Sequence, residues 1–541
     1  MTPVGFRARR SLFAFGDNVR RFLVVVSIIA ASVVAGHTQG AGTGNARPRV
    51  AVLIVVDQMR ADYLQRYADR FHDGFKRLVE HGAVFSEARY PYASTKTAEG
   101  HALMLSGWSP SGSGIIGDSW YDRAAKAAVV AGASAQHRLL DSSGEGGSPE
   151  QLLVHTLGDA LKAQRPRSHV FTASWKRYAA VLNGGQHPDA AYWFDVVTGH
   201  MVTSDYYMAK YPAWVTRFNA RDITAPYFGT PWLGHPMGAG TQPNEAFRTN
   251  FRATPFANDV LLAFAKSLIS NGDVGRDDDP DLIAISFSAL DYVGHQYGPE
   301  TPEFDSTIEA LDRQIGDLLR TLDSDVGEGK YAVVLTADHG APLAPEKERA
   351  RGLDAGRLDV AAFRTAVETA VGKQLGLTSP AILALDPPEL YLDYASAAAH
   401  GVGASALDGA IVAAIQAQPG IAHAYTVDDL RSAASSPDPF VKAVAAGFYA
   451  SRSGDIHVLV KPNYIFYGGA GIMHGTPYEY DAHVPMIWMG AGIRPGTNRD
   501  RVRINDLAPT LGALLGIRYK GDPEGRVLTQ ALQATSSSGA R

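Results

Sequence analysis

Within the stretch YASTKTAEGHALMLSG (90–105), three hydroxyls fall within four positions, Ser94, Thr95 and Thr97, and an apolar helix-like run follows at once. A hydroxyl is a weak nucleophile until a base or a metal ion activates it. The chain has no cysteine, which excludes disulfides, thiolate nucleophiles and thiolate metal ligands. The remaining groups able to activate a hydroxyl are carboxylates and imidazoles, and six of them stand at suggestive places. Asp57 ends the run RVAVLIVVDQM (49–59), and Asp291 and His295 close DLIAISFSALDYVGH (281–295). Asp338 and His339 end YAVVLTADHG (331–340), and His474 lies in IMHGTPYEYDAHVP, just before the apolar run HVPMIWMGAGI (483–493). Asp291 and His295 are four apart, the spacing that puts two side chains on one face of a helical turn.

Mixed His/Asp donors without sulfur suit Zn²⁺, and Mn²⁺ or Co²⁺ as well. Six ligands exceed the need of one catalytic ion and fit two ions sharing a bridging group. Such pairs sit roughly 3.5–4 Å apart and stabilise both oxygens of an in-line displacement. They also deprotonate a hydroxyl without a general base. Thr97 is the hydroxyl of choice, because TAEGHALMLSG reads as a helix opening at Thr97 with Glu99 in its first turn. A helix start offers free N–H groups and a positive dipole end to an alkoxide or a phosphoryl oxygen. The competing reading of Thr97 is a plain N-cap, and Ser94 and Thr95 belong to the approach loop.

These residues need a scaffold that gathers strand ends. The four apolar runs are continuous, not alternating, as in a parallel sheet covered on both faces. Periodic segments such as GFKRLVEHG (74–82) and TIEALDRQIGDLLRTL (307–322) lie between them. The fold class expected is therefore α/β, a three-layer α/β/α sandwich with a mostly parallel central sheet and inserted cap segments. Ligands in such sheets bind at the carboxyl ends of strands, where the aspartates and histidines fall. The expected division is a catalytic core over 48–345 and 454–530, with a loop-rich cap at about 199–280. An Ala-rich helical insertion spans 346–453, and 531–541 forms a disordered tail.

The chain has 541 residues, 45% hydrophobic and 19% charged, enough for a large core. Five arginines precede FLVVVSIIAASVVAG (22–36), a 15-residue apolar run that is short for a membrane span and fits a secretory signal, with cleavage within 35–41. An uncleaved anchor is the rival reading, and the only membrane contact expected. Residues 1–36 carry five Arg and one Asp, a net +4, so the whole-chain −5 becomes about −9 beyond them. An acidic exported protein is a poor binder of nucleic acid, so no such partner is expected beyond nucleotides. The expected location is periplasmic or secreted.

The ordered motifs VVDQMRADYL, TAEGHALMLSG, GIIGDSWYD, HPDAAYWFD, SALDYVGHQYG, LTADHG, SRSGDIHVLVKP and HGTPYEYDAHVPMIW run through most of residues 49–520. This set resembles the alkaline phosphatase superfamily, in particular the phosphate-irrepressible bacterial alkaline phosphatases related to nucleotide pyrophosphatase/phosphodiesterases. The resemblance implies two Zn²⁺ ions, one held by Asp291, His295 and His474, the other by Asp57, Asp338, His339 and the Thr97 oxygen. It further implies that Thr97 attacks phosphorus to give a phosphothreonine, which water then hydrolyses. The substrate implied is a small phosphate ester. The sulfatases of the superfamily carry Cys or Ser in a C/S-x-P-x-R context that is missing here at the nucleophile position.

Two positions depart from the pattern. Where the family has an Asn that contacts a phosphoryl oxygen, this chain has Asp118. Where its monoesterases have a Lys-x-Arg clamp, this chain has Lys176 and Tyr178 in SWKRYAAVL, with Arg177 one residue off. In an extended segment Arg177 points away from Lys176 unless a bulge turns it back. Tyr cannot reproduce the bidentate grip of Arg on phosphate, and an ionised Asp118 repels a dianion more than a monoanion. The expectation is an alkaline phosphatase-type phosphomonoesterase whose activity on simple monoesters is reduced, with relative preference moved toward diesters or another ester. A phosphodiesterase or nucleotide pyrophosphatase is the alternative, and a catalytically impaired phosphate-binding protein is the third reading.

Overall fold

The computed structural model describes residues 47–533 apart from 141–143, 520 and 522–524. The expected signal segment lies outside the described residues. The core is a ten-stranded sheet in the spatial order 496–498, 83–89, 483–490, 331–336, 50–56, 281–287, 170–174, 190–195 and 200–202, with 502–503 also paired to 83–89. The five central strands from 331–336 to 190–195 run parallel. Val50–Val56 is buried along its whole length, as a Val/Ile/Leu run between two helical layers must be. One layer groups the helices Gly74–His81, Phe256–Asn271 and Pro302–Leu322, and the other groups Thr97–Ser106, Leu157–Gln164, Arg177–Gly184 and Leu507–Leu515. Among the described residues no helix is long and apolar enough to cross a membrane.

The strand His483–Gly490 is antiparallel to both its neighbours. Continuous burial gave it the look of a parallel strand, but burial on two faces does not encode direction. Three expected boundaries move. The start of the second core segment, expected at 454, pairs elsewhere: Ile456–Val460 lies between Glu389–Leu392 and Ile421–Thr426 in a separate four-stranded antiparallel sheet. The insertion is thus an α+β unit, whose helices Val360–Leu375 and Ala404–Gln416 bury Val367, Val371, Leu407 and Ile411 against Leu390 and Ile456 in a core of their own. Within the expected cap at about 199–280, His200–Val202 is the antiparallel edge of the central sheet, and Phe256–Asn271 is a covering helix. Of the expected tail, residues 531–533 are ordered, since Leu532 bridges Ile493 and the Gln533 N–H donates to Gly492 O, and 534–541 lie outside the described residues.

Candidate active site

Three strands of the central sheet end together. Val56 pairs with Phe287, and Val55 with Thr336, so the residues that follow emerge at one edge. Asp57 comes directly after its strand, Asp338 and His339 just after theirs. Asp291 and His295 project from the helix Ala289–Gln296. Because His483–Gly490 runs the opposite way, its beginning lies at the same edge, and the loop before it delivers His474. The result is two groups of potential donors, Asp291/His295/His474 and Asp57/Asp338/His339, each with ligand atoms within 4.8 Å of one another. The His339 and His474 rings stack at 3.5 Å between centroids, so the groups adjoin.

Thr97 sits where they meet. It is the first residue of the helix Thr97–Ser106, with Lys96 at the N-cap, so the plain N-cap reading of Thr97 does not hold. Glu99 closes the first turn by accepting the Lys96 N–H at 3.1 Å. The helix is buried on every side and ends at Gly107, whose φ of +68° suits a glycine C-cap. Gly100 lets it approach the sheet edge, because a Cβ there would lie 2.5 Å from Asp338 O. Thr97 Oγ1 is 3.3 Å from His339 Nε2 and accepts from Lys176 Nζ at 3.0 Å.

All three imidazoles are held alike. His339 Nδ1 donates to Gly340 O (2.9 Å), His295 Nδ1 to Ile472 O (2.8 Å) and His474 Nδ1 to Thr95 O (2.8 Å). A carbonyl only accepts, so each Nδ1 carries the proton and each Nε2 keeps its lone pair for the centre. Asp481 fixes the His474 loop by accepting from Gly475 N, Thr476 N and Thr476 Oγ1. Gln58, at φ +67°, ties the two groups together: its N–H donates to Asp338 Oδ1 at 3.2 Å and its Nε2 to Asp291 Oδ1 at 2.6 Å. His101 donates to Thr97 O and bonds Ser286 Oγ, both at 2.8 Å. Sequence reasoning missed Gln58, His101 and Asp481. Only Gln58, beside a strand-end aspartate, carried any signal.

The electrostatics are those of a cation site. Asp57, Asp338 and His339 are fully buried. Asp57 Oδ1 and Asp338 Oδ2 have no hydrogen-bond partner among the described residues, whereas Asp57 Oδ2 faces the Lys176 ammonium. Burial, then the charges of Asp291 and Asp338, pushes the Asp57 carboxyl well above its usual range. Burial likewise lifts Asp338 to about 7. Burial lowers His339 and His474, keeping both imidazoles neutral. Burial alone would lower His295 too, but the Asp291 carboxylate outweighs it and raises it. Orphaned carboxylate oxygens, neutral imidazoles with inward lone pairs and no sulfur make a donor set that fits divalent cations.

The third set of residues departs from expectation in detail. Lys176 reaches inward, with Nζ 2.7 Å from Asp57 Oδ2 and 2.6 Å from Asp291 Oδ2. The segment after it is the helix Arg177–Gly184, not extended chain. Arg177 turns outward to Glu145 Oε2 and Gly146 O, each at 3.2 Å, so no bulge returns it to the site. Tyr178 lines the cavity together with Asp118. Asp118 Oδ1 accepts the Ala98 N–H at 2.8 Å, so one N–H at the helix start is already engaged. The cavity, ≈ 360 Å³, is closed on its far side by the inserted unit through Pro387, Pro388, Val458, Val460 and Phe466.

Fold and site define a class: an α/β/α hydrolase with carboxylate–imidazole cation sites beside a hydroxyl at a helix start. The chain belongs to the type I phosphodiesterase / nucleotide pyrophosphatase family, which it matches over residues 51–483. Alkaline phosphatase PhoV of Synechococcus elongatus is 31% identical to it over 527 residues, 90% of this chain and 94% of that protein. Alkaline phosphatase PafA of Elizabethkingia meningoseptica is 30% identical over 541 residues, covering 93% and 98%. The crystal structure of wild-type PafA superposes with a TM-score of 0.84 at 29% identity, over 90% of this chain and 99% of that one. A second solved structure of PafA carries substitutions of one Thr, one Asn, one Lys and one Arg.

Proposed function

We propose that this chain is an exported alkaline phosphatase-type phosphomonoesterase that uses two Zn²⁺ ions and Thr97 as nucleophile. The observation that carries the reading is the Thr97 hydroxyl, buried at the first turn of its helix between two carboxylate–imidazole groups. Asp291, His295 and His474 hold one ion, and Asp57, Asp338 and His339 the other, with Thr97 Oγ1 beside the second group. The ions, when bound, stabilise an alkoxide on Thr97 and the charge on the leaving oxygen. Thr97 Oγ1 forms a bond to phosphorus as the ester oxygen leaves, and hydrolysis of the phosphothreonine regenerates the hydroxyl. His101, accepting no charge at its lowered pKa of about 3 through burial, holds the Thr97 carbonyl and keeps the helix start in place. Lys176, hydrogen-bonded to Thr97 Oγ1, favours the alkoxide electrostatically. The substituted Thr and Asn of the PafA variant are spaced as Thr97 and Asp118 are here, and its Lys and Arg as Lys176 and Tyr178, which supports assigning these four positions to one site.

Asp118 and Tyr178 favour a second reading, a phosphodiesterase, because both weaken the grip on a dianion. A panel of zinc-loaded protein against p-nitrophenyl phosphate, its methyl diester and p-nitrophenyl sulfate decides between them. The proposal expects hydrolysis of the monoester, slower turnover of the diester and none of the sulfate. A higher kcat/KM on the diester transfers the function to the second reading, and inactivity on both phosphates overturns the hydrolase.

A further inference from the structure

With Tyr178 at one clamp position and Arg177 turned outward, the cavity lacks the guanidinium that grips a phosphoryl group. Lys176 does not substitute for it unaided, since its ammonium contacts Asp57, Asp291 and Thr97 Oγ1. A different cation lines the same cavity. Lys96, immediately before Thr97, runs its stem past Gly475 and brings Nζ over Gly117, the neighbour of Asp118. Its side chain is 16% exposed, and its single ion pair among the described residues is a long one, 3.9 Å to Asp386 Oδ1. The other oxygen of Asp386, Oδ2, accepts from Ser119 Oγ at 2.9 Å. A half-enclosed ammonium with three donors and no close acceptor, facing a cavity next to a nucleophile, is built to receive an anion.

We propose that Lys96 is the second phosphoryl-binding cation of this site, standing in for the Arg that Tyr178 replaces. The inference rests on the phosphate-ester reading above and names the group that lets a site with Asp118 still accept a dianion. A lysine ammonium is a compact point charge, not a planar fork, so its attraction scales with the charge of the ligand and not with its geometry. A dianionic monoester, or inorganic phosphate as product, therefore gains more from Lys96 than a monoanionic diester does. Asp118 and Asp386 compete with the ligand for the ammonium from either side.

The test compares wild type, Lys96→Met and Asp386→Asn as zinc-loaded full-length protein, with zinc content and thermal midpoint measured on each. Readouts are kcat/KM on p-nitrophenyl phosphate and its methyl diester, and the affinity for inorganic phosphate by calorimetry. Loss of a charge-assisted contact predicts that Lys96→Met lowers monoester kcat/KM and phosphate affinity about tenfold or more, and the diester no more than about threefold. Lys96→Arg restores part of the loss. Asp386→Asn, which removes a competing carboxylate, strengthens phosphate binding. Equal losses on both esters, unchanged phosphate affinity in Lys96→Met, or weakening by Asp386→Asn would make Lys96 a structural tie to the inserted unit and overturn the inference. A wild type inactive on both esters instead overturns the hydrolase reading itself.

Discussion

The two walls of the cavity are made by opposite means. The central-sheet edge presents carboxylates and imidazoles that, His295 apart, are buried and are held by backbone groups or by neighbours such as Gln58. The inserted unit presents Pro387, Pro388, Val458 and Val460 from its four-stranded sheet, with Phe466 from the neighbouring pair 356–358/464–466 packed on the same small core. The first wall tolerates little displacement, because an unpaired buried charge is expensive and reactive groups need sub-ångström placement. The second only has to exclude water and accommodate an organic group. Under the proposed function, the chemistry falls to the sheet edge and contact with the ester substituent to the inserted unit.

Four perturbations sharpen that contrast, in descending order of effect. Chelation should abolish turnover and lower the thermal midpoint, with both restored by zinc, since Asp57 Oδ1 and Asp338 Oδ2 are then left buried without a hydrogen-bond partner; turnover that survives dialysis against a chelator would break the assignment of chemistry to the sheet edge. Thr97→Ala should cut kcat by at least about a thousandfold while circular dichroism and zinc content stay as in wild type, and Thr97→Ser should keep measurable activity. Next comes Gly294→Ala, whose Cβ would lie 1.7 Å from Gln58 Oε1. Displacing Gln58 from Asp291 should weaken zinc binding by roughly 10- to 100-fold in a competitive chelator titration. Val458→Ala and Phe466→Ala, on the opposite wall, should raise KM for an aryl ester by roughly three- to tenfold with little change in kcat. A fall in kcat at constant KM in these two would erase the distinction between the walls.

Much of the sheet edge was legible in the sequence because its signal is local. An apolar run that breaks at an Asp announces a strand end, and Asp291/His295 announce a helical turn. The start of the helix Thr97–Ser106 was readable for the same reason, from Thr97 ahead of an apolar run with Glu99 in the first turn. The supports were not legible, since the partners of the three histidines are carbonyls of Gly340, Ile472 and Thr95, and every residue has a carbonyl. Ile456–Val460 misled for a physical reason too. It is buried throughout, like a core strand, although its neighbours are accessory strands. Arg177 needed the actual backbone, because a helix start and an extended segment aim consecutive side chains differently.

The carbonyl supports have a consequence for how this protein can vary. A hydrogen-bond acceptor supplied by the main chain survives any replacement of the side chain at the same position, provided the backbone path is kept. Positions 95 and 472 can thus change by single substitutions without releasing the tautomers of His474 and His295, whereas Gly340 is bound to its type because a Cβ there would lie 2.2 Å from Tyr480 O. A change of side chain at those two positions thus leaves the ring orientation to the backbone.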